Sequence, residues 1–149
     1  MSRPPLLAAA TVATLLLSQV ALGQSGSIAL VAHPGVADDS ISVEEAIDLL
    51  LGNRTEWSSG DPVVLLLPAP SSPDRQRFLR RVYGMSESQY RQYWIGRMYR
   101  VEVPVLPREV LSCTTAQDLA MQLSGGLAAV DSSCLKEDAH VLVVDGHHP

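Results

Sequence analysis

Residues 63–83 read VVLLLPAPSSPDRQRFLRRVY, and the way this stretch folds decides the class of the protein. The five apolar residues Val63, Val64, Leu65, Leu66 and Leu67 are what a strand covered on both faces requires. Pro68, Ala69 and Pro70 end it. Ser72 suits a helix N-cap, Pro73 the first helical position, and Asp74 the positive end of the helix dipole. Phe78, Leu79 and Val82 then share one helical face, with Arg75, Arg77, Arg80 and Arg81 mostly on others. A buried strand that feeds a helix through a polar turn belongs to α/β proteins, and such turns commonly hold anions.

The flanking sequence repeats the alternation. Residues 27–32 (SIALVA) form a first strand that ends at His33-Pro34-Gly35. Ser42-Val43-Glu44-Glu45 fits a capping box, Val43, Ala46, Ile47, Leu50 and Leu51 follow at helical spacing, and Gly52 supplies a left-handed stop. Residues 53–62 are a loop holding one large aromatic, Trp57. Gly84 stops the second helix, and Ser86 to Gln89 is a second capping box. Tyr90, Tyr93, Trp94 and Met98 then line one face of a third helix as core. Pro104 and Pro107 argue for an extended edge segment over residues 101–110. Thr114 or Thr115 can cap a last helix through Leu123, ended by Gly125-Gly126. Two apolar runs, 127–130 and 140–144, complete an α/β pattern with a mostly parallel sheet flanked by helices.

The chain has 149 residues, and its N-terminal stretch reads as an address rather than as fold. Arg3 precedes an apolar run over residues 6–17, and Ala21 and Gly23 form an A-x-G cleavage site before Gln24. Residues 1–23 are therefore expected to be a cleaved signal peptide. A membrane anchor is the alternative, and the run is short for a span. Residues 24–149 would form one exported, periplasmic domain with a full core. That domain carries 16 acidic and 10 basic residues, a formal charge of −6. Eight of the ten basic residues are arginines between Arg75 and Arg108. They are expected to solvate two helices and to pair with the acidic helix at Glu44, Glu45 and Asp48. An acidic exported protein is a poor nucleic-acid binder, so no nucleic-acid partner is expected. Cys113 and Cys134, an even pair in an exported chain, are expected to be bridged. His33, His140, His147 and His148 match no zinc spacing, so no metal is expected.

Three stretches together resemble one lobe of a phosphate-type periplasmic substrate-binding protein of ABC transporters. Leu51-Gly52-Asn53-Arg54-Thr55-Glu56-Trp57-Ser58-Ser59-Gly60, entered from the first helix, looks like that family's L-x-x-I/L-F-x-G-K-x-x-x-W-x-x-G signature. The strand at 63–67 with its Ser-containing turn is the second. Gly125-Gly126-Leu127-Ala128-Ala129-Val130 is similar to the family's P-G-A-I-G-Y-V strand. The resemblance covers residues 28–145 and implies a single lobe of a type II periplasmic-binding-protein-like fold.

Family members hold phosphate between two lobes with helix amides, Ser and Thr hydroxyls and an Arg. The resemblance places Ser71 and Ser72 at the family's Ser-Gly-Thr turn, with charge from Arg75 or Arg54, and His33 in the first turn. Pro73 removes one backbone donor from that cradle, and 126 residues leave no room for a second lobe. Two functions follow. One is a module that binds phosphate or a related oxyanion in connection with phosphate uptake or sensing. The other is a ligand-free module that docks onto a membrane transporter, a sensor or a second copy of itself. With no G-x-S-x-G, no H-E-x-x-H and no Ser/His/Asp grouping, neither an enzyme nor a cofactor is expected.

Overall fold

The computed structural model describes residues 27–102 and 106–144. The expected signal segment and His147 and His148 lie outside the described residues. In chain order the elements are β1 (Ile28–Ala32), β2 (Ser40–Ile41), α1 (Val43–Leu51), β3 (Val64–Pro68), α2 (Arg75–Phe78), α3 (Glu87–Tyr99), β4 (Arg108–Val110), α4 (Cys113–Gln122), β5 (Gly126–Asp131) and β6 (Val143–Val144). A π-helical turn, Leu79–Tyr83, continues α2, and a 3-10 turn, Ser132–Cys134, follows β5.

Four strands form the main sheet in the order β1-β5-β3-β4. β3 runs parallel to both β4 and β5, whereas β1 is antiparallel to β5. The last apolar run does not join this sheet. Its β6 pairs in parallel with β2 as a separate two-stranded ribbon, with one bridge from Val141 back to Val31.

Strand alternation divides the core between the two faces. Leu30, Leu65, Leu67, Leu127 and Ala129 pack with α1, the α2 turn and α3, through Leu49, Phe78, Leu79, Tyr90 and Trp94. Ala29, Val31, Leu66, Ala128 and Val130 pack with α4 through Ala116 and Ala120. Cover on both faces is why 63–67 and 127–130 are continuous apolar runs.

Local hydrogen bonding places the helix ends. Ser42 accepts the Glu45 N–H, the Glu45 carboxylate accepts the Ser42 N–H, and Ser86 with Gln89 does the same for α3. Gly52 and Gly84 both take the left-handed conformation at their helix ends. Two caps differ from expectation. The second helix starts at Arg75 with Asp74 before it, and Ser72 lies outside, its hydroxyl accepting the Asp74 N–H at 3.4 Å. The Pro68–Asp74 turn is simply longer than a direct strand-to-helix junction. The last helix is capped by Ser112, not by Thr114 or Thr115, and the Thr115 N–H is the donor to it at 3.0 Å.

The arginines of α2 and α3 do not pair with the acids of α1, as the sequence suggested. Arg97 instead donates to the carbonyls of Leu51 and Gly52 at the C-terminal end of α1, where the helix dipole is negative. Glu45 is taken by Arg54 at 3.3 Å.

Candidate functional site

β3, β4 and β5 are mutually parallel, so their carboxyl ends, Pro68, Val110 and Asp131, lie together at one edge of the sheet. In open α/β sheets this edge is where solutes bind. The 69–74 turn crosses it, tied down by Ala69 N–H to the Val110 carbonyl at 2.9 Å and Ser72 N–H to the Ala69 carbonyl at 2.8 Å. The N-terminus of α4 and the 3-10 turn close the far side, and the Cys113–Cys134 disulfide joins them. Between these walls lies a slot of about 40 Å³. Its polar rim carries Ser72, Asp74, Arg77, Arg81, Ser112 and Asp131, and its floor is apolar.

The rim charges are largely matched. Arg77 pairs with Asp74 at 3.3 Å, both being more than half exposed. Hydrogen bonds from Ser133 hold the Asp131 carboxyl below its ordinary range, with a smaller pull from Arg77 and Arg81. Behind the disulfide, fully buried Gln117 donates to the carbonyls of Cys113 and Cys134 and accepts the Lys136 N–H at 2.9 Å. That wall is braced by hydrogen bonds as well as by the bridge.

The five residues expected to share the site fall into three places. Ser72 lines the slot and Ser71 stands exposed on the same turn. Arg75 is directly below, but its side chain is only 3% exposed and faces inward. It grips Glu87 through two bonds of 2.9 and 3.0 Å, reaches Glu109 at 3.3 Å, donates to the Pro68 carbonyl and lies 4.4 Å over the Tyr90 ring. Arg75 therefore anchors the turn to α3 and β4 and presents no donor to the slot. The bond from Arg75 is the main reason the Glu87 carboxyl sits below its ordinary range. Burial pushes the Tyr90 phenol up to about 12.

Arg54 and His33 are at the opposite edge. His33 follows Ala32, which pairs with Leu127, and its N–H bonds the Gly126 carbonyl at 3.0 Å. That puts it about 13 Å, a strand length, from the Asp131 end. Its Nδ1 accepts the Gly35 N–H at 2.9 Å. Arg54 is held by Asp38 at 3.1 Å, by Glu45 and by the Glu56 carbonyl at 3.0 Å. Asp38 also takes both the N–H and the hydroxyl of Ser58. Burial raises the Asp38 carboxyl, and these donors outweigh it, so the net shift is downward. The 51–60 stretch is thus a structural knot around buried Trp57, whose indole N–H bonds the Gly125 carbonyl at 3.0 Å.

The polar residues of the slot that sequence reasoning did not place there are Asp74, Arg77, Arg81, Ser112 and Asp131. A one-turn longer spacing from Ser72 would have pointed to the two arginines once the helix start was set at Arg75. Nothing local marks Ser112, which reaches the slot only through β3–β4 pairing. Among the described residues no three His, Cys, Asp or Glu side chains gather as metal ligands.

No protein-family model matches the sequence, and no curated protein matches it. Solved structures do share the fold. A phosphate ABC transporter substrate-binding protein from Clostridium perfringens with bound phosphate superposes with a TM-score of 0.61 at 17% identity, over 83% of this chain and 46% of that one. An ABC-type phosphate transport receptor from Vibrio cholerae gives 0.62 at 12% identity, over 83% and 48%. PstS from Borrelia burgdorferi gives 0.58 at 10%, over 83% and 49%. The chain spans about half the length of each, and it has the α/β fold of that part of these substrate-binding proteins, a mostly parallel sheet flanked by helices.

Proposed function

We propose that this chain is an exported solute-binding module that takes phosphate or a related small oxyanion in the carboxyl-edge slot, in connection with phosphate uptake or sensing. One observation carries the proposal. The Ser71–Ser72 turn, Arg77 and Arg81 converge at the carboxyl ends of three parallel strands, on a slot sized for an ion. A volume of about 40 Å³ holds a few waters or one small anion and excludes a larger organic solute.

In this proposal Arg77 and Arg81 take the part the sequence suggested for Arg75 and Arg54. An arriving anion exchanges with Asp74 for Arg77, and an exposed pair of this kind is worth so little that the exchange costs little. Ser72 offers its O–H, since its oxygen already accepts the Asp74 N–H. The likeness to phosphate-binding proteins supports the same ligand class. Among the described residues no helix is long and apolar enough to cross a membrane.

The test is thermal unfolding of the oxidised protein with phosphate, sulfate and chloride at matched ionic strength. Phosphate at 100 times its dissociation constant should stabilise by about 2.7 kcal/mol, a rise of several degrees. Ser72→Ala with Arg77→Gln should abolish that rise and leave the ligand-free midpoint nearly unchanged. A rise no larger than that with chloride would sink the proposal and favour docking without a ligand.

A further inference from the structure

The amino edge of the same sheet holds a second cavity that the proposed function does not use. It lies between the end of α1, the 54–55 segment, the start of β3, α3 and the 106–108 segment, and measures about 180 Å³. Leu49, Val63, Leu65, Trp94 and Leu106 supply apolar walls, and Thr55 and Arg108 stand among them.

Two residues of this lining stand out, Trp94 and Arg108. The chain has two tryptophans, and while Trp57 donates to a carbonyl, the Nε1 of Trp94 is buried with no partner. The Trp94 ring lines the cavity, so its indole N–H reports on what enters there. The guanidinium of Arg108, exposed on the edge strand β4, makes no hydrogen bond or ion pair with any described residue. The neighbouring Arg54 is fully engaged, so Arg108 is the cation this cavity has to offer.

We propose that this cavity binds a small organic carboxylate with a single-ring or branched-chain body. The body packs against Leu49, Val63, Leu65 and Trp94, and the carboxylate meets Arg108 at the mouth. Size and chemistry agree on this class. An apolar cavity of about 150 Å³ accommodates benzene, so 180 Å³ takes one ring and little more. Walls of carbon make a poor seat for a bare inorganic ion, which needs donors on every side. An arginine fork at the rim matches a planar carboxylate in two parallel bonds. The site is independent of the oxyanion slot, being at the other end of β3.

The experiment follows the two indole N–H signals of the full chain, sequentially assigned by NMR, during titration with phenylacetate. The Trp94 signal should move saturably while that of Trp57 stays nearly still. Arg108→Gln, a change at an exposed position, should weaken binding at least about tenfold, and so should replacing phenylacetate by neutral phenylacetamide. Inorganic phosphate should not compete. No saturable movement of the Trp94 signal up to about 10 mM, equal affinity in R108Q, or equal affinity for the amide would each overturn the proposal; about 10 mM is where a contribution of only a few kcal/mol would still register.

Discussion

The two ends of β3 make opposite arrangements from similar residue types. At the carboxyl end the polar side chains are largely matched: Arg77 by Asp74, Asp131 by Ser133, Arg75 by Glu87 and Glu109, Gln117 by three backbone groups. At the amino end the knot of Asp38, Arg54, Glu45 and Ser58 is equally complete, yet Trp94 and Arg108 beside it are left over. A matched exposed pair can trade one partner for an anion at small cost, which suits a small rim-bound ion. An unpaired arginine beside an apolar cavity suits a solute with a body and a carboxylate. The size of the space then separates the two, about 40 Å³ against about 180 Å³.

The amino end should be the more brittle of the two. Gly125 has φ 75°, and a Cβ there would stand 2.0 Å from the Pro62 carbonyl oxygen. Gly125→Ala should therefore cost on the order of 4 kcal/mol, from left-handed strain plus a backbone clash beside the Trp57 bond. Urea unfolding measures it, and a cost under about 1 kcal/mol would mean that this end yields more readily than its packing implies.

The carboxyl end rests on its covalent brace. Cys113→Ser with Cys134→Ser opens a loop with a sequence separation of 21, which the chain-entropy model puts at about 3 kcal/mol. Because Gln117 also spans the two segments, phosphate affinity should fall by less than the stability does. Comparing unfolding free energy with phosphate titration in the double variant checks this, and parallel losses would mean that Gln117 contributes nothing to the wall.

Arg75→Met should cost about 2 kcal/mol, below the usual figure for a broken buried pair, because Glu87 and Glu109 are 33% and 43% exposed and can turn to water. Should this variant keep its stability and lose phosphate binding selectively, Arg75 would be a ligand after all and the inward orientation would be wrong.

Acid provides a finer comparison. Asp38 at one end, and Glu87 and Asp131 at the other, all have carboxyls held below their ordinary range. Groups depressed in the folded state bind fewer protons than in the unfolded chain. Their contribution is complete above the ordinary carboxylate range, near pH 4, and drains away as pH falls through the folded values. Asp38→Asn and Glu87→Gln should each flatten the acid limb of stability against pH, and should be additive because they act at different ends. The smallest effect is expected from Asp74→Asn, which removes the ion's competitor for Arg77 and should tighten phosphate binding a few-fold.

Much of the frame was legible from local chemistry. Ser42 with Glu45 and Ser86 with Gln89 satisfy backbone groups three residues away, and Gly52 and Gly84 need only their own freedom at positive φ. The apolar runs that became β1, β3 and β5 announce strands covered on both sides wherever their partners lie. The position of the Ser71–Ser72 turn was legible for the same reason, since it sits between a recognisable strand and a recognisable helix.

What sequence could not order is everything that depends on which strands become neighbours. Antiparallel pairing of β1 with β5 carries His33 to the edge away from Ser72. Parallel pairing of β3 with β4 brings Ser112 to the slot and Glu109 within reach of Arg75, which turns an apparent surface arginine into a buried anchor. The sequence by itself determined the two capping boxes, the main apolar strands and the α/β class, because those are settled by hydrogen bonds and burial within a few residues. Only the tertiary structure decided which arginines line the slot and which indole is left without a partner, because both depend on groups dozens of residues away.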